Sequence, residues 1–159
     1  MDTTIWTALI GAGGTISGAL ITALVARQGF VRNKSYDKVT GSINNPQPNE
    51  TVQRTFNCSG VVTGMQHGLK FWLVVEVGDR MWPKENKVVP NDDNTWNAIV
   101  FEDGAAETFA LSLFIADSKA NRHIEEWLEA GRSTGKYSEL MGIPGARRIA
   151  RVGGLHLNP

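Results

Sequence analysis

The hydrophobic pattern divides the chain into two unequal parts. Between Asp2 and Arg27 there is no charged residue, and most positions are apolar or small. From Val39 onward, apolar and polar residues alternate in short runs separated by turn-forming residues. A long uncharged run is typical of a transmembrane helix, whereas short alternating runs are typical of half-buried β-strands. The pattern therefore predicts three regions: a transmembrane helix over 3–26, a basic juxtamembrane connector over 27–38, and a β domain over 39–159.

The alternating runs of the second part predict an antiparallel sheet. The run over residues 69–77 is the strongest, because it is β-branched, aromatic and nearly continuous. Turn signals such as "NNPQPNET" and "NDDN" separate the runs. Short strands with turns between them are typical of a β-sandwich rather than of a parallel α/β sheet. Strands are predicted at 52–62, 69–77, 95–102, 107–116 and 146–157.

One segment of the β domain has helical periodicity instead. Its apolar residues are spaced so that they form a single stripe along a helix. Asp117 or Ser118 can cap the first turn, and Gly131 can end the last. A helix is therefore predicted at about 118–130, packed on the sheet. The stripe consists of Ala120, Ile124, Trp127 and Leu128.

The domain resembles immunoglobulin-like (Ig-like) sandwiches over residues 44–116. Cys58 and Trp72 have the spacing of the cysteine and the tryptophan on neighbouring strands of that fold, although the partner cysteine is missing. The wider pattern "PNETVQRTFNCSGVVTG…KFWLVVEV…WP" is similar to bacterial Ig-like modules attached to membrane or multidomain proteins. The resemblance implies a mainly β fold: an Ig-like antiparallel β-sandwich with one inserted amphipathic helix, preceded by a single transmembrane α-helix. It implies little about function.

The N-terminal run could also be taken for a dinucleotide-binding turn, but its glycines do not fit. The fingerprint G-x-G-x-x-G is met by Gly11 and Gly13 and then fails at Ile16. No second apolar strand follows, as a βαβ unit requires. The membrane interpretation is therefore preferred over a cofactor site.

The charges that flank the predicted span indicate its orientation. Four basic residues follow the span directly, whereas Asp2 precedes it, unlike the basic start of a signal peptide. Basic residues remain on the cytoplasmic side. The chain is therefore predicted to be a single-pass protein of the bacterial inner membrane, with its β domain in the cytoplasm. The basic residues are Arg27, Arg32, Lys34 and Lys38.

Small and hydroxylated residues form one face of the predicted span. Such a face lets helix backbones approach closely, and threonine hydroxyl groups can bond across the interface. Self-association in the membrane is therefore predicted. Two alternatives remain open: a plain anchor of low hydrophobicity, and a face that lines a wetted pore. The residues predicted to mediate self-association are Gly11, Gly14, Thr15, Gly18 and Thr22.

The sequence holds no motif for catalysis, for a metal or for a cofactor. Its formal net charge is zero, which argues against nucleic acid as a partner. The run "GRSTGKYS" has one residue too few between its glycines for a phosphate-binding loop. The three histidines are far apart, and the single cysteine, Cys58, is expected to be a small buried residue. The protein is therefore predicted not to be an enzyme.

Two features of the β domain could mediate binding. Trp82, before a proline near a strand end, is either a contact aromatic or a core residue. Arg147, Arg148 and Arg151 are predicted as an anion site, because arginine forks suit phosphate and carboxylate. The alternatives for these arginines are charge balance against helix glutamates and contact with anionic lipid. Simple alternation on the last strand places Arg147 and Arg151 on one face and Arg148 on the other.

These features lead to two functional hypotheses. The first is a non-enzymatic membrane protein that self-associates through its helix and presents a cytoplasmic β-sandwich for protein or ligand binding. The second is an effector that permeabilises the bilayer, as in bacterial defence, when the β domain binds a signal. The expected partners are the lipid bilayer, further copies of the chain, and a protein or a small anionic ligand.

Overall fold

The structure, a computed structural model, describes residues 36–104 and 106–158. These residues form a mainly β fold with one helix, as the sequence predicted. The strands and the helix are β1 (Thr40–Asn45), β2 (Thr51–Val52), β3 (Thr55–Thr63), β4 (Lys70–Val77), β5 (Arg80–Val88), β6 (Thr95–Phe101), β7 (Phe109–Ala116), α1 (Ser118–Thr134) and β8 (Ala146–Leu157).

The strands form two sheets. A three-stranded sheet has the order β1-β3-β6, and a five-stranded sheet has the order β2-β8-β7-β4-β5. All pairings are antiparallel except the short parallel pair of β2 with β8. Tight turns join several neighbours, as at Gly78, whose positive φ of 63° suits glycine.

The main hydrophobic core lies between the two sheets. Alternate residues of β3 and β6 point inward, and Cys58, Val62 and Trp96 are fully buried there. Leu111 and Leu113 of β7 meet them from the five-stranded sheet and belong to the same cluster. This arrangement confirms the predicted alternation, because every second side chain of a strand faces the core.

The five-stranded sheet is also buried on its second face. There α1 covers Trp72 and Val74 of β4 and Phe114 and Ala116 of β7, a surface named here the helix-side face. The indole Nε1 of Trp72 donates to Oδ1 of Asn121 on α1 at 3.2 Å. Burial on two sides explains why β4 and β7 are nearly continuous apolar runs rather than alternating ones.

The helix begins as predicted and ends later. Asp117 is the N-cap, and its carboxylate accepts from the backbone N–H groups of Lys119 and Ala120 at 3.0 and 2.8 Å. The predicted end at Gly131 is wrong, because the helix continues to Thr134 and Gly135 is the left-handed cap. Gly131 instead makes room for the Tyr137 ring, since a Cβ there would lie 2.2 Å from a ring carbon.

The Ig-like arrangement is not confirmed. In that fold the strand cysteine and the tryptophan pack together in one core. Here Cys58 lies between the sheets, whereas Trp72 lies under α1 on the opposite side of the five-stranded sheet. Trp96 is the tryptophan that fills the core between the sheets.

The first described residues pack against the β domain. Tyr36 and Val39 are buried in the main core, so the core includes Tyr36, which the sequence assigned to the connector 27–38. Within the described part of the chain, no helix is long and apolar enough to cross a membrane. The predicted span at 3–26, with its small-residue face, lies outside the described residues.

Gly60 provides a test of how closely the strands of the three-stranded sheet approach one another. A Cβ at this position would lie 1.9 Å from the backbone oxygen of Ser42 and 2.7 Å from the Trp96 ring. We expect Gly60→Ala to lower the free energy of unfolding by about 3 kcal/mol, as overpacking does. Gly142→Ala is the control, because nothing lies within 4 Å of the added Cβ. Urea denaturation measures both, and equal midpoints would contradict this account of the sheet.

Candidate functional site

A cavity opens where β5, an outer strand of the five-stranded sheet, lies beside β6, an outer strand of the three-stranded sheet. It has a volume of about 740 Å³ and extends around β5 to the C-terminal part of α1 and the residues after it, where Trp127, Leu128 and Tyr137 also line it. This cavity, the edge groove, has Trp82 and Lys84 on one wall and Ile99 and Phe101 on the other. Its volume is in the range of ligand-binding clefts, about 300–1,000 Å³.

The interior of the edge groove is apolar. Leu73 and Val75 of β4, Phe109 of β7 and Leu157 of β8 form its inner surface. These residues also belong to the main core or pack against it, so the groove is an opening into the space between the sheets. An apolar group that enters the groove would therefore leave water for a preformed surface.

An ion pair crosses the groove from one sheet to the other. Nζ of Lys84 lies 2.7 Å from Oε2 of Glu102, the residue that follows β6, and both side chains are largely buried. The other carboxylate oxygen of Glu102 accepts from the backbone N–H of Gly104 at 2.7 Å. Glu102 is thus held at both oxygens, which fixes the segment after β6 against β5.

Acidic residues outnumber basic ones among the residues that line the groove. Lys84 is the basic residue in that lining, whereas Glu85, Glu102 and Asp103 are acidic. Glu85 accepts from the Tyr137 hydroxyl at 2.9 Å, and this hydrogen bond raises the pKa of Tyr137. Tyr137 therefore keeps its proton at neutral pH. Oε1 of Glu85 also lies 3.7 Å from Nε of Arg132, and Glu102 is paired with Lys84, so Asp103 is the acidic residue of the lining that has no ion pair among the described residues.

The two strands that border the groove differ as edges. On β5, Met81 already exchanges two backbone hydrogen bonds with Leu140, and Pro83 has no N–H to offer. On β6, every residue pairs with β3, and no described strand pairs with the other side. Ile99 and Phe101 are 64% and 58% exposed along this free edge. An unpaired, apolar edge is the usual template for adding a strand.

Trp82, predicted as a contact aromatic or a core residue, lies on β5 and lines the edge groove. Its side chain is partly buried, and it pairs in register with Val75. The structure therefore places it at the candidate site rather than in a terminal loop.

The three arginines predicted as one anion patch are divided between two faces. Arg148 and Arg151 lie on the helix-side face, and both bond the carboxylate of Glu76. Arg147 pairs with Ile115, which is part of the main core, and so lies on the opposite face. Strict alternation would have grouped Arg147 with Arg151. An irregularity in the pairing of β7 with β8 shifts the register and places Arg148 with Arg151 instead.

Arg147 holds the first described residues against the domain. Its Nη2 donates to the backbone oxygens of Tyr36 and of Val39, the latter at 2.9 Å, and its guanidinium lies 5.9 Å from the centre of the Tyr36 ring. Burial raises the pKa of Tyr36, so the hydroxyl keeps its proton and donates to the backbone oxygen of Gly145. Nε of Arg147 is buried without a hydrogen-bond partner among the described residues, so it is not presented to an external anion.

Neither Cys58 nor a metal cluster offers catalytic chemistry in the described part of the chain. No group of three or more His, Cys, Asp or Glu side chains there is placed to hold a metal ion. Cys58 is fully buried, and burial raises the pKa of its thiol to about 12. The thiol is therefore protonated at neutral pH, and the thiolate is the nucleophilic form.

Comparison with protein-family models, with curated proteins and with solved structures found no match for this chain. The function must therefore be argued from the site itself.

The edge groove and the two buried glutamates, Glu76 and Glu102, were not predicted from the sequence. The sequence does contain one indication of the groove. The side of β6 expected to face solvent carries Ile99 and Phe101, two large apolar residues where a solvated strand would be polar. The glutamates gave no such signal, because their partners are distant in the sequence.

Cys58 allows a direct test of the buried core. We expect the native protein to react negligibly with a thiol reagent at pH 8, because a pKa near 12 leaves a thiolate fraction of only ~10⁻⁴ and the side chain has no exposed surface. The same protein unfolded in urea should react at once, which is the control. Rapid labelling of the native protein would place Cys58 outside the core.

Proposed function

We propose that the chain is a non-enzymatic, membrane-anchored binding protein whose β domain holds an extended apolar segment of a protein partner in the edge groove. The observation that carries this proposal is the free edge of β6, with Ile99 and Phe101 exposed beside an apolar cavity. An extended segment that pairs with such an edge gains main-chain hydrogen bonds, and its alternate side chains enter the adjacent pocket.

The shape and charge of the groove specify the kind of segment. The cavity is open along a strand edge, so it suits an extended chain rather than a helix, which brings no free backbone groups to an edge. The apolar interior favours aliphatic or aromatic side chains at alternate positions. Asp103, which has no ion pair among the described residues, favours a basic residue beside it.

A synthetic peptide tests this proposal on the full-length protein. The probe alternates valine and threonine and carries lysine at both ends; in the control peptide, glutamate replaces the lysines. We expect the lysine peptide to bind and the glutamate peptide to bind about tenfold more weakly, as fluorescence anisotropy measures. Bound peptide should slow hydrogen exchange of the β6 backbone amides.

Matched substitutions identify the surface involved. Ile99→Ser and Phe101→Ser should each weaken the peptide about tenfold, whereas Val89→Ser removes an exposed apolar residue that does not line the groove and should have no effect. Equal weakening by Val89→Ser, or unchanged exchange of the β6 amides, would contradict the proposal. A change of oligomer size caused by Phe101→Ser without peptide would mean that a second copy covers this edge.

The membrane anchor is part of the same proposal and rests on the sequence. The small-residue face of the predicted span supports self-association. Gly14→Ile and Gly18→Ile should reduce the oligomer to monomer in detergent, because bulk on this face separates the helix backbones. Gly13→Ile makes the same change on the opposite side of the predicted helix and is the control. Cross-linking or light scattering measures the size, and an unchanged oligomer would refute helix packing.

Dye leakage distinguishes this proposal from a pore. The reconstituted protein should leave liposomes intact, both alone and with the bound peptide. Leakage under either condition would favour the permeabilising alternative over a binding protein.

A further inference from the structure

On the helix-side face of the five-stranded sheet, two arginines reach across the middle strand to a buried glutamate. Arg148 and Arg151 lie on β8, whereas Glu76 lies on β4, on the far side of β7. Nη1 of Arg148 donates to both carboxylate oxygens, at 3.1 and 2.9 Å, and Nε of Arg151 donates to one of them at 3.3 Å. Both arginine side chains therefore extend across the middle strand.

The three charged groups differ sharply in exposure. The Glu76 side chain is 4% exposed, whereas those of Arg148 and Arg151 are 47% and 49% exposed. Each guanidinium has five N–H donors, and Glu76 engages one nitrogen of each. The remaining donors bond no acceptor in the described part of the chain and include both Nη groups of Arg151. One positive charge of the cluster is also left unbalanced.

A buried hydroxyl on β7 lies in the same part of the sheet. Ser112 pairs in register with Arg151 on one side and with Val74 of the helix-side face on the other. Its side chain is fully buried, and its oxygen has no hydrogen-bond partner among the described residues. A buried polar group without a partner is uncommon in folded proteins, because it loses its hydrogen bonds to water and gains none, and a ligand that reaches Ser112 would supply the missing bond.

Gly153 sets the position of the Arg151 guanidinium. A Cβ at Gly153 would lie 3.1 Å from Nη1 of Arg151, so the missing side chain lets the guanidinium lie against the strand. The bond from Nε to Glu76 orients the fork of Arg151 at this place. A fork that is already oriented loses little entropy when it binds an oxyanion.

We propose that Arg148 and Arg151 form a binding site for a phosphate-type oxyanion, with Glu76 and Gly153 as positioning residues and Ser112 as an additional hydroxyl donor. Paired guanidinium groups recognise phosphate through parallel N–H bonds. The site is separate from the edge groove and does not depend on the proposed peptide binding.

Isothermal titration calorimetry of the full-length protein with inorganic phosphate tests the site. Arg151→Gln should weaken phosphate binding at least tenfold. Arg122→Gln is the matched control, because it removes the same charge from an exposed position on α1 and should leave binding unchanged. Equal losses for both variants would mean that net charge alone attracts the anion, and the proposal would fail.

Two further variants keep both arginines and do not expose the buried glutamate. Ser112→Ala should leave the melting temperature of the phosphate-free protein equal or higher, because it removes an unpartnered hydroxyl, and it should weaken phosphate several-fold. Gly153→Ala should weaken phosphate to a smaller extent, because the added Cβ shifts the Arg151 guanidinium by a few tenths of an ångström. If the two arginines serve only to neutralise Glu76, Ser112→Ala should not change the phosphate affinity. Unchanged affinity in both variants would therefore overturn the proposal.

Lipid nanodiscs distinguish the two sources of such a group. If the natural ligand is a phospholipid headgroup, nanodiscs with phosphatidic acid should raise the apparent dissociation constant for phosphate relative to phosphatidylcholine alone, because the lipid competes. If it is a free phosphorylated molecule, the two should give the same constant. Either result supports the site, provided that Arg151→Gln weakens phosphate binding at least tenfold in both kinds of nanodisc; an unchanged affinity of this variant would overturn the proposal.

Discussion

The structure depends on the burial of β4 and β7 on both faces. These two strands carry apolar side chains at nearly every position, so a single layer packed on one side would leave Trp72 and Phe114 in water. The three-stranded sheet covers one face and α1 covers the other. Burial of a large apolar side chain contributes roughly 1.5–3 kcal/mol, so several such side chains on each face make three layers the stable arrangement.

Both candidate sites lie where this two-sided cover ends. The three-stranded sheet does not close the side where β5 and β6 meet, and the edge groove opens there into the main core. On the other face, α1 covers Trp72 and Val74 of β4. The next residue of β4 on this face is Glu76, which bonds the two arginines. The sites are thus consequences of how far each layer extends over the central strands.

The sequence predicted the elements better than their faces. The positions of β3, β4, β6, β7 and β8 and the start of the helix follow from local chemistry, because alternation and the Asp117 cap are properties of neighbouring residues, whereas β1 and β5 were not predicted. The location of Trp72 under α1 could not be predicted, since a continuous apolar run does not say which side chain faces which layer. Likewise, Arg148 and Arg151 lie on the same face of the sheet because of one register irregularity between β7 and β8, which no local pattern encodes.

Two largely buried carboxylates give the two sites opposite charge. Glu102 is matched by Lys84 and by a backbone N–H, and Glu85 is matched by Arg132, so the charge of Asp103 is left in excess at the groove. Glu76 is matched by two arginines that are half exposed, so the surplus at that face is positive and reaches solvent. A buried carboxylate needs a positively charged partner at both sites. The number of these partners and their exposure determine the sign of the net charge at the protein surface. One core thereby supports an acidic, apolar groove and a cationic surface on different faces of the same sheet.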